Sequence, residues 1–178
     1  YTGAGSNVSA CAAGSYKSMD MSSDACTLCA AGKFRHLIAQ TNNTCMDCPA
    51  NSHSMAGSAS VGECYADEGY TGAGMNITEC PAGTFKASNL TSEECTLCAA
   101  GKFKGLTASN SCDDCPANSH SERGSLLLTA CLANAGYTGA GSNVDACAAG
   151  SFKSLGMSSD ACTLCAGGKY KSLSAQTS

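Results

Sequence analysis

The reactive residue type that dominates this sequence is cysteine, which supplies 15 of the 178 residues. Four cysteines follow the spacing Cys26-x2-Cys29-x15-Cys45-x2-Cys48, and Cys95-x2-Cys98-x13-Cys112-x2-Cys115 repeats the arrangement. Paired Cys-x-x-Cys groups at this separation are typical of a tetrahedral zinc site. Disulfide bonding is the second chemistry open to cysteines at this density.

The cysteines outside these four-residue groups favour disulfides over zinc. Cys11 and Cys64 recur at fixed spacing as Cys80 and Cys131, and a zinc site leaves them without a role. The basic flanks of a nucleic-acid-binding zinc ribbon are also absent from the sequence. We therefore expect no metal and no other cofactor. The cysteines predicted to form disulfides are Cys11, Cys26, Cys29, Cys45, Cys48, Cys64, Cys80, Cys95, Cys98, Cys112, Cys115, Cys131, Cys147 and Cys162.

The composition explains why the fold needs disulfides. Leu, Ile, Val and Phe make up about 12% of the chain, below the roughly 20% that marks a chain unable to build an ordinary core. Disulfides persist in oxidising compartments, so we expect an extracellular protein, secreted or on the cell surface. The net charge of −4 and the scattered basic residues argue against nucleic-acid binding. No apolar run of 18 residues is present, so we expect no membrane span in this segment.

The cysteine pattern belongs to a longer sequence repeat. The stretch 70–103 recurs almost unchanged at 1–34 and at 137–170, and a period of this length predicts a stacked array. We assign three cysteine-rich repeats: 1–69, 70–136 and a truncated 137–178. The chain is interpreted as a window from a longer array whose targeting signals lie elsewhere. The next cysteine is then expected near positions 179–181, and the partner of Cys165 is expected beyond the last residue.

A shorter phrase recurs between the cysteines: Cys, two residues, Gly, a small or basic residue, an aromatic residue and a basic residue. Gly14 and Gly32 occupy its glycine position, where we expect a turn with positive φ. Asn51 replaces glycine in a variant of the phrase, and asparagine tolerates the same left-handed conformation. The aromatic residue is expected to start a short strand that packs on a disulfide. The predicted fold is therefore small disulfide-rich repeats of turns, coil and short β-hairpins with little helix, arranged as an elongated rod.

No catalytic constellation stands out in this sequence. His53 and His120 fill the aromatic position of the phrase, so we interpret them as structural. The acidic pairs Asp67-Glu68 and Asp113-Asp114 are typical of solvated surface. No thioredoxin-like context surrounds the Cys-x-x-Cys groups, and no glycine-rich phosphate loop opens a helix. We therefore expect no enzyme.

Four sequons predict N-glycosylation in an extracellular chain. They begin at Asn7, Asn42, Asn76 and Asn89. Asn7 and Asn76 occupy the same position of the repeat. In the third repeat this position reads Asn143-Val-Asp145, so Asn143 is expected to stay bare.

The phrases Cys-Pro-Ala-Gly-Thr-Phe-Lys, Cys-Thr-Leu-Cys-Ala-Ala-Gly-Lys-Phe and Cys-Asp-Asp-Cys-Pro-Ala-Asn-Ser resemble ephrin-receptor-like cysteine-rich repeats. These repeats are related to the cysteine-rich modules of growth-factor and tumour-necrosis-factor receptors. The Gly-Tyr-Thr-Gly connector is similar to tandem arrays on protist and algal surface proteins. The receptor-like pattern implies these disulfides: Cys11–Cys26, Cys29–Cys48, Cys45–Cys64, Cys80–Cys95, Cys98–Cys115, Cys112–Cys131 and Cys147–Cys162.

Two functions of different classes fit these observations. The first is a structural glycoprotein that self-associates into a fibre, a flagellar hair or a cell-surface stalk, since near-identical repeats can make equivalent contacts along a filament. The second is the ligand-binding ectodomain of a receptor or adhesin, which would need aromatic or arginine anchors specific to one repeat. Tyr65, Arg35, Arg123 and the run 126–128 are the few repeat-specific candidates, so we favour the structural function.

Overall fold

The fold, taken from a computed structural model, is described for residue 2 and for residues 9–17, 25–38 and 44–177. Within these residues all regular structure is short β-strand, apart from two 3-10 turns at Val61–Glu63 and Leu128–Ala130. The predicted fold class of small disulfide-rich β-hairpin repeats with little helix is confirmed. The chain forms two compact units, one of Tyr1–Glu79 with Lys86–Glu94 and one of Cys80–Phe85 with Cys95–Ser178. No helix in the described part of the chain is long and apolar enough to cross a membrane.

The building block is a hairpin module, which we define as a cysteine, a turn, a two-residue strand, a loop, a second cysteine and a second short strand. Five such hairpins form separate two-stranded antiparallel sheets. Their paired strands are β1 (Ser15–Tyr16) with β2 (Thr27–Leu28), β3 (Lys33–Phe34) with β4 (Met46–Asp47), β9 (Thr84–Phe85) with β10 (Thr96–Leu97), β11 (Lys102–Phe103) with β12 (Asp113–Asp114), and β17 (Ser151–Phe152) with β18 (Thr163–Leu164).

Two further hairpin modules are extended into four-stranded antiparallel sheets. The first unit has β5 (Ser52–His53), β6 (Tyr65–Ala66), β7 (Tyr70–Ala73) and β8 (Asn76–Glu79), paired in that order. The second unit has β13 (Ser119–His120), β14 (Leu132–Ala133), β15 (Tyr137–Ala140) and β16 (Asn143–Ala146) in the same order. Each sheet therefore carries the chain from the end of one sequence repeat into the next.

Every hairpin module is closed by its own disulfide, with Cα–Cα distances of 5.6–5.8 Å that suit the bond. Three bonds lie where the receptor-like pattern placed them: Cys11–Cys26, Cys80–Cys95 and Cys147–Cys162. The other four predicted pairs, Cys29–Cys48, Cys45–Cys64, Cys98–Cys115 and Cys112–Cys131, are wrong. The bonds present instead are Cys29–Cys45, Cys48–Cys64, Cys98–Cys112 and Cys115–Cys131.

Local closure within each hairpin accounts for this correction. A turn closed by the bond from Lys33 N–H to the carbonyl oxygen of Ala30 separates Cys29 from β3, and the Cα atoms of Cys29 and Cys45 lie 5.8 Å apart. Cys48 follows β4 and opens the next module, so the two cysteines of a Cys-x-x-Cys group belong to different hairpins. The four cysteines of each zinc-like spacing are accordingly distributed over three disulfides.

The disulfides take the place of a conventional core. One cysteine of every pair is 0–1% exposed, namely Cys11, Cys29, Cys64, Cys80, Cys98, Cys131 and Cys147. Phe34 is also buried, and the phrase aromatics Tyr16, Phe85, Phe103 and Phe152 are half-buried. Tyr170 differs from the predicted packing role because its side chain is exposed. Tyr1 lies outside the described residues.

The turn prediction for the phrase is confirmed. Gly14 has φ +81°, and an added Cβ there would lie 1.9 Å from the carbonyl oxygen of Gly57, a separation that no side chain can occupy. Asn51 and Asn118 adopt φ of 60° and 63° in the equivalent position. The aromatic residue ends its two-residue strand rather than starting it.

Candidate functional site at the first repeat joint

The chemistry outside the disulfides is concentrated where one sequence repeat meets the next. We define the first joint as residues 66–93, together with His53, and the second joint as residues 133–160, together with His120. The first joint lies within the first unit except for residues 80–85, which belong to the second unit, and the second joint lies within the second unit. Both joints contain the loop after the second strand of a disulfide hairpin and most of the first module of the following repeat.

Each joint contains a buried lysine, Lys86 or Lys153, whose hydrogen bonds to backbone carbonyls we call the lysine clasp. In the first joint the Nζ of Lys86 donates to the carbonyl oxygens of Ala66, at 3.0 Å, and Asp67, at 3.1 Å. In the second joint the Nζ of Lys153 donates to the carbonyl oxygens of Ala133, at 3.2 Å, and Ser158, at 2.6 Å. The two lysines are only 3% and 5% exposed. The ammonium group of Lys86 therefore satisfies two backbone carbonyls of the preceding module, and that of Lys153 satisfies one carbonyl of the preceding module and one of its own. Without these bonds the buried carbonyls would carry a desolvation cost.

Burial lowers the pKa of both lysines. Desolvation is the largest cause for Lys86 and for Lys153, because it disfavours the charged form. Nearby carboxylates oppose this effect: Glu93 and Asp67 raise the pKa of Lys86, and Asp160 raises that of Lys153. In both joints desolvation therefore outweighs the opposing carboxylates, of which Lys86 has two and Lys153 has one.

A backbone hydrogen bond involving the same lysine accompanies the clasp at each joint. Gly69 N–H donates to the carbonyl oxygen of Lys86 in the first joint, and Gly136 N–H donates to that of Lys153 in the second, both at 2.8 Å. A threonine hydroxyl adds a further bond at each joint. The acceptor is the carbonyl oxygen of Glu93 for Thr71, at 2.7 Å, and that of Asp160 for Thr138, at 2.8 Å.

The same kind of contact links neighbouring modules inside a repeat. Ser54 and Ser121, both buried, take the position that lysine has in the joint modules. Their hydroxyls donate to the carbonyl oxygens of Lys33, at 3.0 Å, and Lys102, at 2.9 Å. In these four modules a buried polar side chain therefore adds a bond to the backbone hydrogen bonds between neighbouring modules.

The first joint carries a polar cluster of its own. The Nδ1 of His53 lies 2.7 Å and 2.9 Å from the two carboxylate oxygens of Asp67. Beside this pair, the backbone N–H of Glu68 donates to the Oδ1 of Asn89 at 2.8 Å, and the Nδ2 of Asn89 lies 3.5 Å from the Oε1 of Glu68. The cluster joins the last module of the first repeat to the first module of the second.

These groups line a cleft of about 590 Å³, formed by Ala31, His53, Ser54, Asp67, Glu68, Asn89 and Leu90. Its size lies in the range of small-ligand sites, about 300–1,000 Å³, and its lining combines apolar surface with a few convergent polar groups. His53 remains 63% exposed at the side chain and Asp67 25%. The cleft is therefore open to solvent on the histidine side.

The second joint lacks this chemistry although it shares the backbone. Asn134 stands where the first joint has Asp67, Ala135 replaces Glu68, and Gly156 replaces Asn89. The backbone next to the lost asparagine is unchanged, since Leu90 and Met157 have φ of 55° and 53°. The polar cluster is thus a property of side chains at one joint and not of the fold.

The cleft has no arrangement suited to nucleophilic catalysis within the described residues. The nearest hydroxyl in the lining, that of Ser54, donates to the Lys33 carbonyl, and the carboxylate of Asp67 holds the Nδ1 of His53. In the described parts of the chain, no group of three His, Cys, Asp or Glu side chains is placed to hold a metal ion. What the cleft offers is hydrogen bonding to a polar ligand beside a small apolar surface.

The predicted sequons divide between described and undescribed parts of the chain. Asn76, on β8, and Asn89, at the cleft, are exposed. Asn143, the residue expected to stay bare, is exposed at the equivalent place on β16. Asn7 and Asn42 lie outside the described residues. Cys165 is a half-exposed free thiol at the position where Cys29 and Cys98 open their modules.

Two features escaped the sequence reading. The lysine of the clasp occupies the basic position of the recurring phrase. A lysine recurs there at Lys17, Lys86 and Lys153, and this recurrence in a chain with few large apolar residues was the available signal for a structural role. The acidic residues Glu68, Asp113 and Asp114 are exposed, as predicted, but the sequence does not show the partners of the acidic pairs: Asp67 contacts His53. Across the hairpin of β11 and β12, Asp114 pairs with Lys102, and Asp113 pairs with Lys104 at 3.3 Å.

The fold and the bonding pattern define a class: disulfide-stapled, cysteine-rich hairpin repeats, which are typical of extracellular and cell-surface proteins. Within the chain, residues 86–131 match the family described as tyrosine-protein kinase ephrin type A/B receptor-like. These residues run from the clasp lysine to the last cysteine of the second repeat, and they are similar to ephrin-receptor-like cysteine-rich repeats. That family is of the receptor-ectodomain type.

Proposed function

We propose that this protein is an extracellular structural glycoprotein whose repeats self-associate into a fibre, a flagellar hair or a cell-surface stalk. The observation that supports this proposal is the recurrence of one joint: the same buried lysine, threonine and glycine contacts appear at 66–93 and at 133–160. A chain that repeats its joints places equivalent backbone elements at a constant sequence interval.

The physical argument is that every module is closed locally. Each described disulfide spans 14 to 16 residues, so no bond ties distant repeats together. Arrays of locally closed repeats add modules without changing the existing ones. Equivalent surfaces related by a constant step build open filaments when the step does not close into a ring.

Electron microscopy of the native material tests this proposal. The structural function predicts filaments with a regular axial repeat. Isolated stalks on a membrane would select the stalk over the fibre, and a dispersed monomer would contradict self-association.

Small-angle X-ray scattering of the oxidised chain in solution tests the predicted rod. A compact globule of this length has a radius of gyration of about 16 Å. The rod predicts a value clearly above this, and a value at the globular limit would contradict it.

A receptor or adhesin ectodomain is the second candidate function. It is favoured by the polar cleft, which is present at one joint and absent at its equivalent, and by the receptor-type family of residues 86–131. A ligand that binds the soluble chain with one-to-one stoichiometry, and loses its affinity when His53 and Glu68 are replaced, would favour this function over the fibre.

The glycoprotein part of the proposal rests on the four sequons. The described sites, Asn76 and Asn89, are exposed and accessible to a glycosyl-transfer enzyme. Intact-glycopeptide mass spectrometry of secreted protein should find glycans at Asn7, Asn42, Asn76 and Asn89. Unmodified asparagine at all four sites would contradict this part of the proposal.

A further inference from the structure

We propose that the cleft of the first joint is the binding site for the first sugars of a glycan attached to Asn89 of the same chain. The inference rests on the proposed glycosylation of this residue and goes beyond it, because it assigns the sugars a place on the protein. The ligand class is the N-acetylglucosamine core of an N-linked oligosaccharide.

The position of Asn89 is the first argument. Its side chain forms part of the cleft wall, and its Oδ1 is held by the backbone N–H of Glu68. This bond fixes the plane of the amide and turns Nδ2 towards the Oε1 of Glu68, 3.5 Å away. A sugar on Nδ2 therefore starts within the cleft wall instead of at the end of a freely rotating side chain.

The attachment chemistry leaves this arrangement intact. Transfer from a lipid diphosphate-linked oligosaccharide breaks the bond between C1 of the first sugar and the diphosphate oxygen, and forms a bond between C1 and Nδ2. One amide hydrogen leaves as a proton, which balances the charge of the released diphosphate. The second amide hydrogen stays on Nδ2 and can still donate to Glu68, and Oδ1 keeps its bond to the Glu68 N–H.

The lining suits an acetylated sugar. His53, Asp67 and Glu68 offer hydrogen-bonding groups for hydroxyls and the acetamide, and Ala31 and Leu90 offer apolar surface for the methyl group and the ring face. The side chain of His53 is largely exposed, so burying it under a sugar costs little rearrangement. The cleft volume of about 590 Å³ falls within the range of sites for ligands of this size.

The comparison of the two joints is the independent argument. At the second joint Gly156 removes the attachment residue, and Asn134 and Ala135 remove both carboxylates. The sequon and the polar lining are thus present together at one joint and absent together at the other, on a backbone with the same left-handed residue. A shared role in holding a glycan explains why the sequon and the polar lining are absent together from the second joint.

The test uses the full chain secreted from eukaryotic cells that make uniform oligomannose glycans. Release of each glycan by an endoglycosidase that cleaves between the first two sugars is followed site by site with glycopeptide mass spectrometry. The glycan on Asn76, which lies on β8 outside the cleft, is the internal reference. We expect release from Asn89 to be about tenfold slower than from Asn76 in the folded protein, the equivalent of about 1.4 kcal/mol. The two rates should agree after reduction and denaturation.

Variants distinguish protection of the Asn89 glycan by the cleft from other causes of slow glycan release. His53→Ala and Glu68→Ala should each bring the Asn89 rate towards the Asn76 rate, and His120→Ala, at the second joint, should leave both rates unchanged. Equal rates in the folded protein, or a slow Asn89 rate that persists in both cleft variants, would overturn the inference. Occupied Asn76 with bare Asn89 would also overturn it and leave the proposed structural function standing. Four bare sequons would contradict the glycoprotein proposal itself.

Discussion

The two repeat joints share one backbone and one lysine clasp but differ in their surface chemistry. At the first joint His53, Asp67, Glu68 and Asn89 surround a cleft, and at the second joint the equivalent loop carries Asn134, Ala135 and Gly156. The two shared lysines are buried, whereas His53, Glu68 and Asn89 of the first joint are exposed. The comparison indicates that the fold of the array depends on the clasp and the disulfides, and that the cleft is an addition to that fold.

The largest expected effect comes from removing a disulfide beside a joint. The Cys48→Ser/Cys64→Ser and Cys115→Ser/Cys131→Ser double variants each open a loop of 16 residues, for which the chain-entropy estimate is about 3 kcal/mol. We expect similar losses at both joints, measured by hydrogen exchange of the four-stranded sheet of each unit. A loss confined to one joint would show that the joints do not share one stabilising framework.

The next largest loss of stability is expected when the lysine of either clasp is replaced. Lys86→Met and Lys153→Met leave buried carbonyl oxygens without their donor, which costs about 1–3 kcal/mol. Faster hydrogen exchange at the amides of Gly69 and Gly136, which donate to the carbonyls of these two lysines, should report the loss. Unchanged exchange at either amide would contradict the role of that lysine.

The clasp also predicts a dependence on pH. Burial lowers the folded-state pKa of Lys86 and Lys153, so between that pKa and the unfolded value of 10.5 the unfolded chain binds more protons. Stability should therefore rise with pH in this alkaline window. The rise should be smaller in Lys86→Met and Lys153→Met than in the parent chain, with Cys165→Ser in all proteins to prevent disulfide exchange. Identical pH profiles for parent and variants would contradict the lowered pKa.

The contact between His53 and Asp67 at the first joint should have a smaller effect. His53 is mostly exposed, and exposed pairs contribute about 0.2–1 kcal/mol. A double-mutant cycle of His53→Ala and Asp67→Ala should give a coupling energy of this size. Asn134→Asp should create the same coupling with His120 at the second joint. Absence of coupling in the engineered pair would mean that the joints differ in more than these side chains.

The smallest effect on stability is expected from the glycan sites on the edge strands. Asp145→Thr restores a sequon at Asn143 on β16, and β16 has the same register as β8. Secreted protein should gain the mass of one glycan at Asn143 with little change in folding. An unmodified Asn143 in a chain glycosylated at Asn76 would show that the two strands differ in accessibility.

The repeating phrase allowed much of this fold to be predicted from sequence. The positive φ of Gly14, Gly32 and Asn51 follows from residue type at a fixed offset, and short strands follow from the spacing of Cys, Gly and aromatic residues. Four disulfides could not be obtained in this way because six cysteines in one repeat allow 15 pairings. The family resemblance implied disulfides whose loops overlap in sequence. The recurring phrase starts a hairpin at Cys11, Cys29 and Cys48, and pairing each of these with the next unused cysteine gives the bonds that the structure shows.

The cleft was harder to predict than the framework. It depends on Asn89 of one repeat reaching Glu68 at the end of the previous one, and sequence spacing does not show which side chains meet across a joint. The carboxylate of Asp67 meets His53 for the same reason, through the antiparallel pairing of β5 with β6. Comparison of the repeats did show that residues 67, 68 and 89 change type together, which was the available signal.

Non-reducing peptide mapping of the native protein tests the central claim, that every hairpin module is closed by its own disulfide, most directly. Cleavage between Cys45 and Cys48 separates the two possible arrangements, because these residues belong to different bonds in adjacent modules. We expect Cys29–Cys45 and Cys48–Cys64, with Cys98–Cys112 and Cys115–Cys131 as their equivalents. Peptides that join Cys29 to Cys48 and Cys45 to Cys64 would contradict independent hairpin modules and the description of both joints.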